Sequence, residues 1–165
     1  MIKVGEKLPD GALKEFVETE QPGCAVGPNE FQVGQLAKGK KLVIFGLPGA
    51  FTPTCSARHV PSYLEHFTAL KGKGVDEIWC ISVNDAFVMG AWGRAEKATG
   101  KIRMMADGAG VFTKALGMDR EIPGMGLRSQ RYSMLVEDGV VKAVHLEQGP
   151  KFEVSDAGTM LKALG

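Results

Sequence analysis

Cysteine is scarce in this chain: Cys24, Cys55 and Cys80 are the three among 165 residues. None is part of a Cys-x-x-Cys pair, which removes the usual spacing for a zinc site and for a thioredoxin-type dithiol. Three widely spaced thiols also make no secreted disulfide framework. Charge of one sign is lacking too. Lys and Arg number 20 against 19 Asp and Glu, a net charge of +1, with no long run of either sign. That balance argues against a nucleic-acid or membrane-surface partner. No stretch approaches the ~20 apolar residues of a membrane span. The first residues, Met1 to Glu6, carry neither an apolar core nor an Arg-rich amphipathic pattern, so the sequence predicts no targeting peptide and a cytoplasmic location. Repeats, low-complexity tracts and linkers are missing as well. What remains is 44% hydrophobic and 24% charged, ordinary for a globular chain. A chain of this length buries roughly 70% of its unfolded surface and needs no staples, so one domain over residues 1–165 is expected.

What is present centres on Leu47-Pro48-Gly49-Ala50-Phe51-Thr52-Pro53-Thr54-Cys55. The stretch follows an apolar run, Leu42 to Phe45, that reads as a buried strand, and it opens a helical pattern. Thr is a good N-cap and Pro is favoured at the first helical position. With Thr52 as cap and Pro53 first, Cys55 falls in the first turn, where unpaired N–H groups and the positive dipole end gather. A buried Cys is ordinarily a small hydrophobe. A thiol that must act as thiolate at neutral pH needs its pKa lowered by about two units, whereas a helix end supplies less than one. A cation must therefore help, and Arg is the natural one because it never loses its charge.

Along the chain, residues 1–41 are polar and Gly-rich, with a weak strand over Ala12 to Val17. Gly34-x-x-x-x-Gly39-Lys40 nears a phosphate-binding loop but fails: Lys41 replaces the magnesium-binding hydroxyl and the strand follows instead of preceding. After Cys55, Val60, Tyr63, Leu64, Phe67 and Leu70 share a helical face, with Pro61 expected to kink the helix and Gly72 and Gly74 to end it. Ile78 to Val83 is a continuous apolar run, as in a strand covered on both faces. Asn84 or Asp85 caps a helix with Phe87, Val88, Ala91, Trp92 and Ala95 at helical spacing. Ile102 to Met105 reads as a strand, Val111 to Leu116 as a short helix and 117–129 as a loop. Tyr132 to Val136, Asp138-Gly139 and Val140 to Leu146 predict a hairpin. Ser155 is the expected cap of a last helix. The order predicts an α/β sandwich, with a central mixed β-sheet flanked by helices, as a thioredoxin-like fold gives.

Pro48-x-x-x-Thr52-x-x-Cys55 resembles the peroxiredoxin active-site signature. The longer run Pro48 to Cys55 is similar to the type II, or peroxiredoxin-V, subfamily, as are Ile81-Ser82-Val83-Asn84-Asp85-Ala86-Phe87-Val88 and Arg131-Tyr132-Ser133-Met134. The resemblance spans nearly the whole chain. It implies a thiol-specific peroxidase in antioxidant defence, reducing hydrogen peroxide and small alkyl hydroperoxides through a sulfenic acid on Cys55. It implies further that Pro48 shields the sulfur. Thr52 accepts a hydrogen bond from the peroxide or donates one to the thiolate, and Arg131 holds both reactants. By spacing alone, Arg128 and Arg120 are rivals to Arg131. No metal, haem or flavin cofactor is implied. The expected reductants are glutathione with glutaredoxin first and thioredoxin second.

His59, four residues after Cys55, admits a Cys–His hydrolase pair or a metal pair with His66, but a supporting position behind the peroxide pocket is the reading the resemblance favours. Cys80 lies mid-strand. Plant type II members have a Cys at this place, sometimes held to resolve the sulfenic acid, which here would need local unfolding. Other members place a resolving Cys near the start of the last helix; Lys151 to Ser155 has none. Cys24 has no assigned role. A homodimer is implied, with Phe87 and Trp92 as contact residues or, equally, as core. A thiol–disulfide oxidoreductase, a redox-sensing module and a thiol hydrolase are the rival classes; Thr52 and Pro48 around Cys55 favour the peroxidase.

Overall fold

The computed structural model describes residues 1–165. Nine strands and six α-helices alternate along it: β1 Ala12–Val17, β2 Gly27–Gln32, α1 Val33–Ala37, β3 Lys41–Gly46, a π-helical turn Cys55–His59, α2 Val60–Glu65 and α3 Phe67–Gly72. Then come β4 Glu77–Ser82, α4 Ala86–Ala95, β5 Arg103–Ala106, α5 Val111–Leu116, β6 Asp119–Ile122, β7 Gly126–Ser129, β8 Tyr132–Glu137, β9 Val140–Leu146 and α6 Ala157–Leu164.

Seven strands form one mixed sheet in the order β2-β1-β5-β4-β3-β8-β9. The central trio β3, β4 and β5 is parallel, and the flanking pairs are antiparallel. Successive side chains of a strand point to opposite faces. Val43, Phe45, Ile78 and Cys80 therefore enter one core, with the apolar residues of α2, α3, α4 and α6. Leu42, Ile44, Trp79 and Ile81 enter the other, with those of α1 and α5. Two covered faces explain why β3 and β4 read as unbroken apolar runs. The expected mixed sheet with flanking helices is what forms.

Several local expectations are corrected. Residues 117–129 are not a plain loop, because β6 and β7 pair there as a separate hairpin. Asp156, not Ser155, caps α6: its carboxylate accepts the Thr159 N–H at 3.1 Å. Asp85 caps α4, accepting from the Val88 N–H at 2.8 Å. The α4 face also differs. Ala86, Met89, Gly90, Trp92 and Gly93 are buried, while Phe87 is exposed. A Cβ at Gly90 would meet Phe16 at 2.7 Å, so glycine, not bulk, makes this face. Pro61 stands at the start of α2, directly after the wide turn, and the helix breaks instead at His66. At the β8–β9 hairpin, Asp138 and Gly139 adopt φ of 48° and 77°, as a type I′ turn requires.

Candidate active site

The loop after β3 carries the chain from the sheet's C-terminal edge into the helical layer. Parallel strands β3 and β4 end side by side there, and ligands favour such crevices in open α/β sheets. The Asn84 side-chain oxygen, at the end of β4, accepts the Ala50 N–H at 3.0 Å and so pins the loop. Arg128 on β7 donates from Nη1 to the Pro48 carbonyl at 3.4 Å and from Nε to the Met125 carbonyl at 3.2 Å. Gly49 leaves room for that guanidinium, since a Cβ there would lie 2.8 Å from Nη1. Phe51 takes a left-handed φ of 62° with its ring exposed. A non-glycine residue in that region stores of order 1 kcal/mol, which a well-tied loop sustains.

Thr52 is not a side-chain cap. Its hydroxyl donates to the Gly49 carbonyl at 2.7 Å, while its own carbonyl accepts the Ser56 N–H at 3.0 Å. Helical backbone does begin at Pro53, but Cys55 to His59 winds as a π turn, wider than the α-turn the spacing predicts. Such turns recur at functional sites. Here the turn swings both Cys55 and His59 inward, and neither exposes measurable surface.

Arg131 reaches them from the residue just before β8. Its Nη2 donates to Cys55 Sγ at 3.2 Å, and its Nη1 lies 2.8 Å from His59 Nδ1. A guanidinium has no acceptor, so His59 Nδ1 must be the accepting nitrogen. The other ring nitrogen, Nε2, therefore carries the proton and donates to the Ser155 carbonyl at 3.1 Å. Burial, and then the Arg131 charge, hold His59 well below its ordinary pKa, which keeps the ring neutral. Its ring is flanked by Phe45 at 4.8 Å and Phe152 at 5.0 Å between centroids.

The structure thus brings Cys55, Arg131 and His59 into direct contact, with Pro48 and Thr52 half-buried on the adjoining loop. Arg128 grips the Pro48 carbonyl and Arg120 is exposed on β6, so the guanidinium on sulfur is Arg131. Both His59 nitrogens are committed away from the thiol, which is not the arrangement of a Cys–His hydrolase pair. His66 turns its Nδ1 to the Ser62 carbonyl at 3.0 Å. Trp92 is fully buried and donates to Ser56 Oγ at 2.9 Å, so it is core and not a contact residue. Cys80 is buried in β4, and all three thiols are free. The sequence points to Asn84 and Ser155 as helix caps and to Arg128 as a rival guanidinium, but not to the contacts they make here, on the Ala50 N–H, the His59 ring and the Pro48 carbonyl.

The redoxin family model matches residues 3–161. Peroxiredoxin-2B of Arabidopsis thaliana is 46% identical, over 99% of this chain and 98% of its own length. The crystal structure of reduced Prx3 from Vibrio vulnificus in complex with hydrogen peroxide superimposes with a TM-score of 0.93 at 46% identity, covering 100% of both chains. This chain belongs to the peroxiredoxins. A Burkholderia cenocepacia structure provisionally described as a thioredoxin reductase is also similar, at TM-score 0.98 and 56% identity over 100% of this chain and 99% of that one. This peroxiredoxin has no Cys-x-x-Cys pair that would give such a name chemical content. It is a thiol-dependent peroxidase, and no helix in it is long and apolar enough to cross a membrane.

Proposed function

We propose that Cys55 is the peroxide-reactive sulfur, acting on hydrogen peroxide and small alkyl hydroperoxides. The supporting observation is the 3.2 Å contact from Arg131 Nη2 to Sγ. The thiolate sulfur attacks the terminal peroxide oxygen. An S–O bond forms as the O–O bond breaks, sulfur is oxidised to Cys–SOH, and the departing oxygen leaves as water or alcohol after taking a proton. Arg131 holds the thiolate and meets the charge that develops on the oxygens. A hydroxyl has one proton to give, and Thr52 gives it to Gly49, so the Thr52 oxygen is left to accept the hydrogen bond of the incoming peroxide. Pro48 shapes the loop beside the sulfur. His59 supports Arg131 from behind.

The working unit is one domain over 1–165, in the cytoplasm, as a homodimer, with glutathione and glutaredoxin as first reductant and thioredoxin as second. Phe51 and Phe87, 57% and 65% exposed, are the exposed aromatic side chains available to a second copy. Cys80 stays reduced in the core. The test is mass spectrometry after one equivalent of hydrogen peroxide, with and without glutathione. A Cys55 sulfenic acid that becomes a glutathione adduct supports the reading. A protein with Cys55 still reduced while peroxide is consumed overturns it.

A further inference from the structure

Behind His59 lies a buried carboxylate that none of the steps above uses. Glu147 follows β9 directly and is 5% exposed. It has no ion-pair partner: the Lys and Arg salt bridges of the chain fall on Glu15, Glu18, Glu77 and Glu137. Instead its oxygens gather the turn before α6. They accept the N–H of Glu153 at 2.9 and 3.0 Å, of Val154 at 2.9 Å and of Ser155 at 2.8 Å, and the Ser155 hydroxyl at 2.6 Å. Burial alone would raise the Glu147 carboxyl, but the Ser155 hydroxyl and these amides outweigh it and hold it below the usual carboxylate value.

The position of that turn matters because of where the Ser155 carbonyl goes. It accepts from both His59 Nε2 and the Tyr63 hydroxyl, the latter at 2.8 Å. The other end of the connection closes through the main chain, since the Glu147 N–H donates to the Arg131 carbonyl at 3.0 Å. One residue therefore holds the Arg131 backbone directly and the Arg131 guanidinium through Ser155 and His59.

We propose that Glu147 is a positioning residue for the peroxide reaction: its carboxylate sets the Ser155 carbonyl, which fixes the His59 tautomer and thereby aims Arg131 at Cys55. This rests on Cys55 being the reacting sulfur. Only a carboxylate offers about four acceptor sites with no competing donor; an amide in its place would turn N–H groups toward N–H groups. Misaiming a guanidinium by a fraction of an ångström is enough to be felt in rate.

The test is a double-mutant cycle of Glu147→Gln and His59→Asn. Two rates are read well below the melting temperature: stopped-flow oxidation of Cys55 by hydrogen peroxide, and iodoacetamide alkylation of Cys55 followed by peptide mass spectrometry. Glu147→Gln is expected to slow both by about tenfold in the wild-type background and by less than twofold in the His59→Asn background. Equal losses in both backgrounds overturn the proposal, as does a Glu147→Gln protein that melts earlier but reacts at the wild-type rates. Should that variant not fold, Ser155→Ala removes the 2.6 Å hydroxyl contact alone. It is expected to slow both reactions about two- to tenfold, the loss of one hydrogen bond, and unchanged rates refute the proposal. Alkylation needs no peroxide, so a wild-type Cys55 that ignores peroxide while its alkylation still depends on Glu147 would sink the peroxidase role of Cys55 and leave the positioning role standing.

Discussion

Two thiols in this molecule are equally buried and differently partnered. Cys55 and Cys80 both show 0% exposure and both belong to the core between the sheet and helices α2, α3, α4 and α6. Cys80 sits in the ladder between Phe45 of β3 and Met104 of β5. Burial first, and then the nearby Cys55 charge, push its thiol well up, against a weaker pull from Arg131. Cys55 instead opens a wide helical turn and receives the Arg131 N–H at 3.2 Å. A guanidinium at hydrogen-bond distance favours the charged form of a group, whereas burial alone disfavours it. Burial alone leaves Cys80 an inert thiol; the guanidinium on the Cys55 sulfur is what singles out Cys55 as the proposed nucleophile.

Replacing the sulfur breaks the comparison outright. Cys55→Ser is expected to drop peroxide turnover to the uncatalysed level while circular dichroism and melting stay near wild type. Retained turnover would show that another thiol reacts.

Removing the cation should make the first thiol more like the second. Arg131→Ala takes away the one donor on Sγ, and loss of a comparable donor elsewhere slows catalysis by ~10²-fold. We expect a loss of that order in the peroxide rate constant, and slower iodoacetamide alkylation of Cys55 at pH 7. Alkylation equal to wild type from pH 5 to 9 would remove the guanidinium from the explanation.

The imidazole between the two regions supplies a pH signature. Folded His59 stays neutral well below its ordinary pKa of 6.5, whereas the unfolded chain takes up the proton there. The unfolded state binds more protons, so stability falls as pH drops below about 6.5, by up to ~1.4 kcal/mol per pH unit for one group. Glu147 acts in a lower window. Its folded carboxyl is held below the ordinary 4.5, so its stabilisation is present above that value and lost as pH falls through the folded one. Urea midpoints at pH 7.0 and 5.5 should therefore decline for wild type and stay level for His59→Asn. Parallel declines would place the proton elsewhere.

The sequence made the fold legible where one principle dominated. Period and run length located β3, β4 and the β8–β9 hairpin, and the Pro48 to Cys55 spacing located the reactive loop. Reading by apolar bulk failed on α4, because Gly90 and Gly93 bury a face by letting the helix approach Phe16 and Met104. Reading caps by residue type failed at Thr52 and Ser155, whose hydroxyls serve Gly49 and Glu147 instead. A side chain near a helix start has several partners within reach, and only the folded chain selects among them. Long-range partners left no trace: His59 meets the Ser155 carbonyl, 96 residues further on, only because the turn before α6 returns to the corner where Cys55 sits.

The smallest effect is the sharpest test of the second thiol. Cys80→Ser puts a hydroxyl into a strand buried on both faces, and an unpartnered buried hydroxyl costs about 1–3 kcal/mol. Melting should drop, and less so for Cys80→Ala, which leaves only a small void. The peroxide step at Cys55 should stay within twofold of wild type in both variants, because the Cys80 side chain makes no hydrogen bond to Arg131 or the loop, and Arg131 keeps its contacts to Cys55 and His59. Steady-state turnover with glutathione and glutaredoxin should be kept as well, since a ladder-bound sulfur can reach Cys55 only if β4 opens, and β4 is the middle strand of seven. If turnover instead collapses in both variants with the peroxide step intact, then Cys80 closes the cycle, and the two thiols are partners and not opposites.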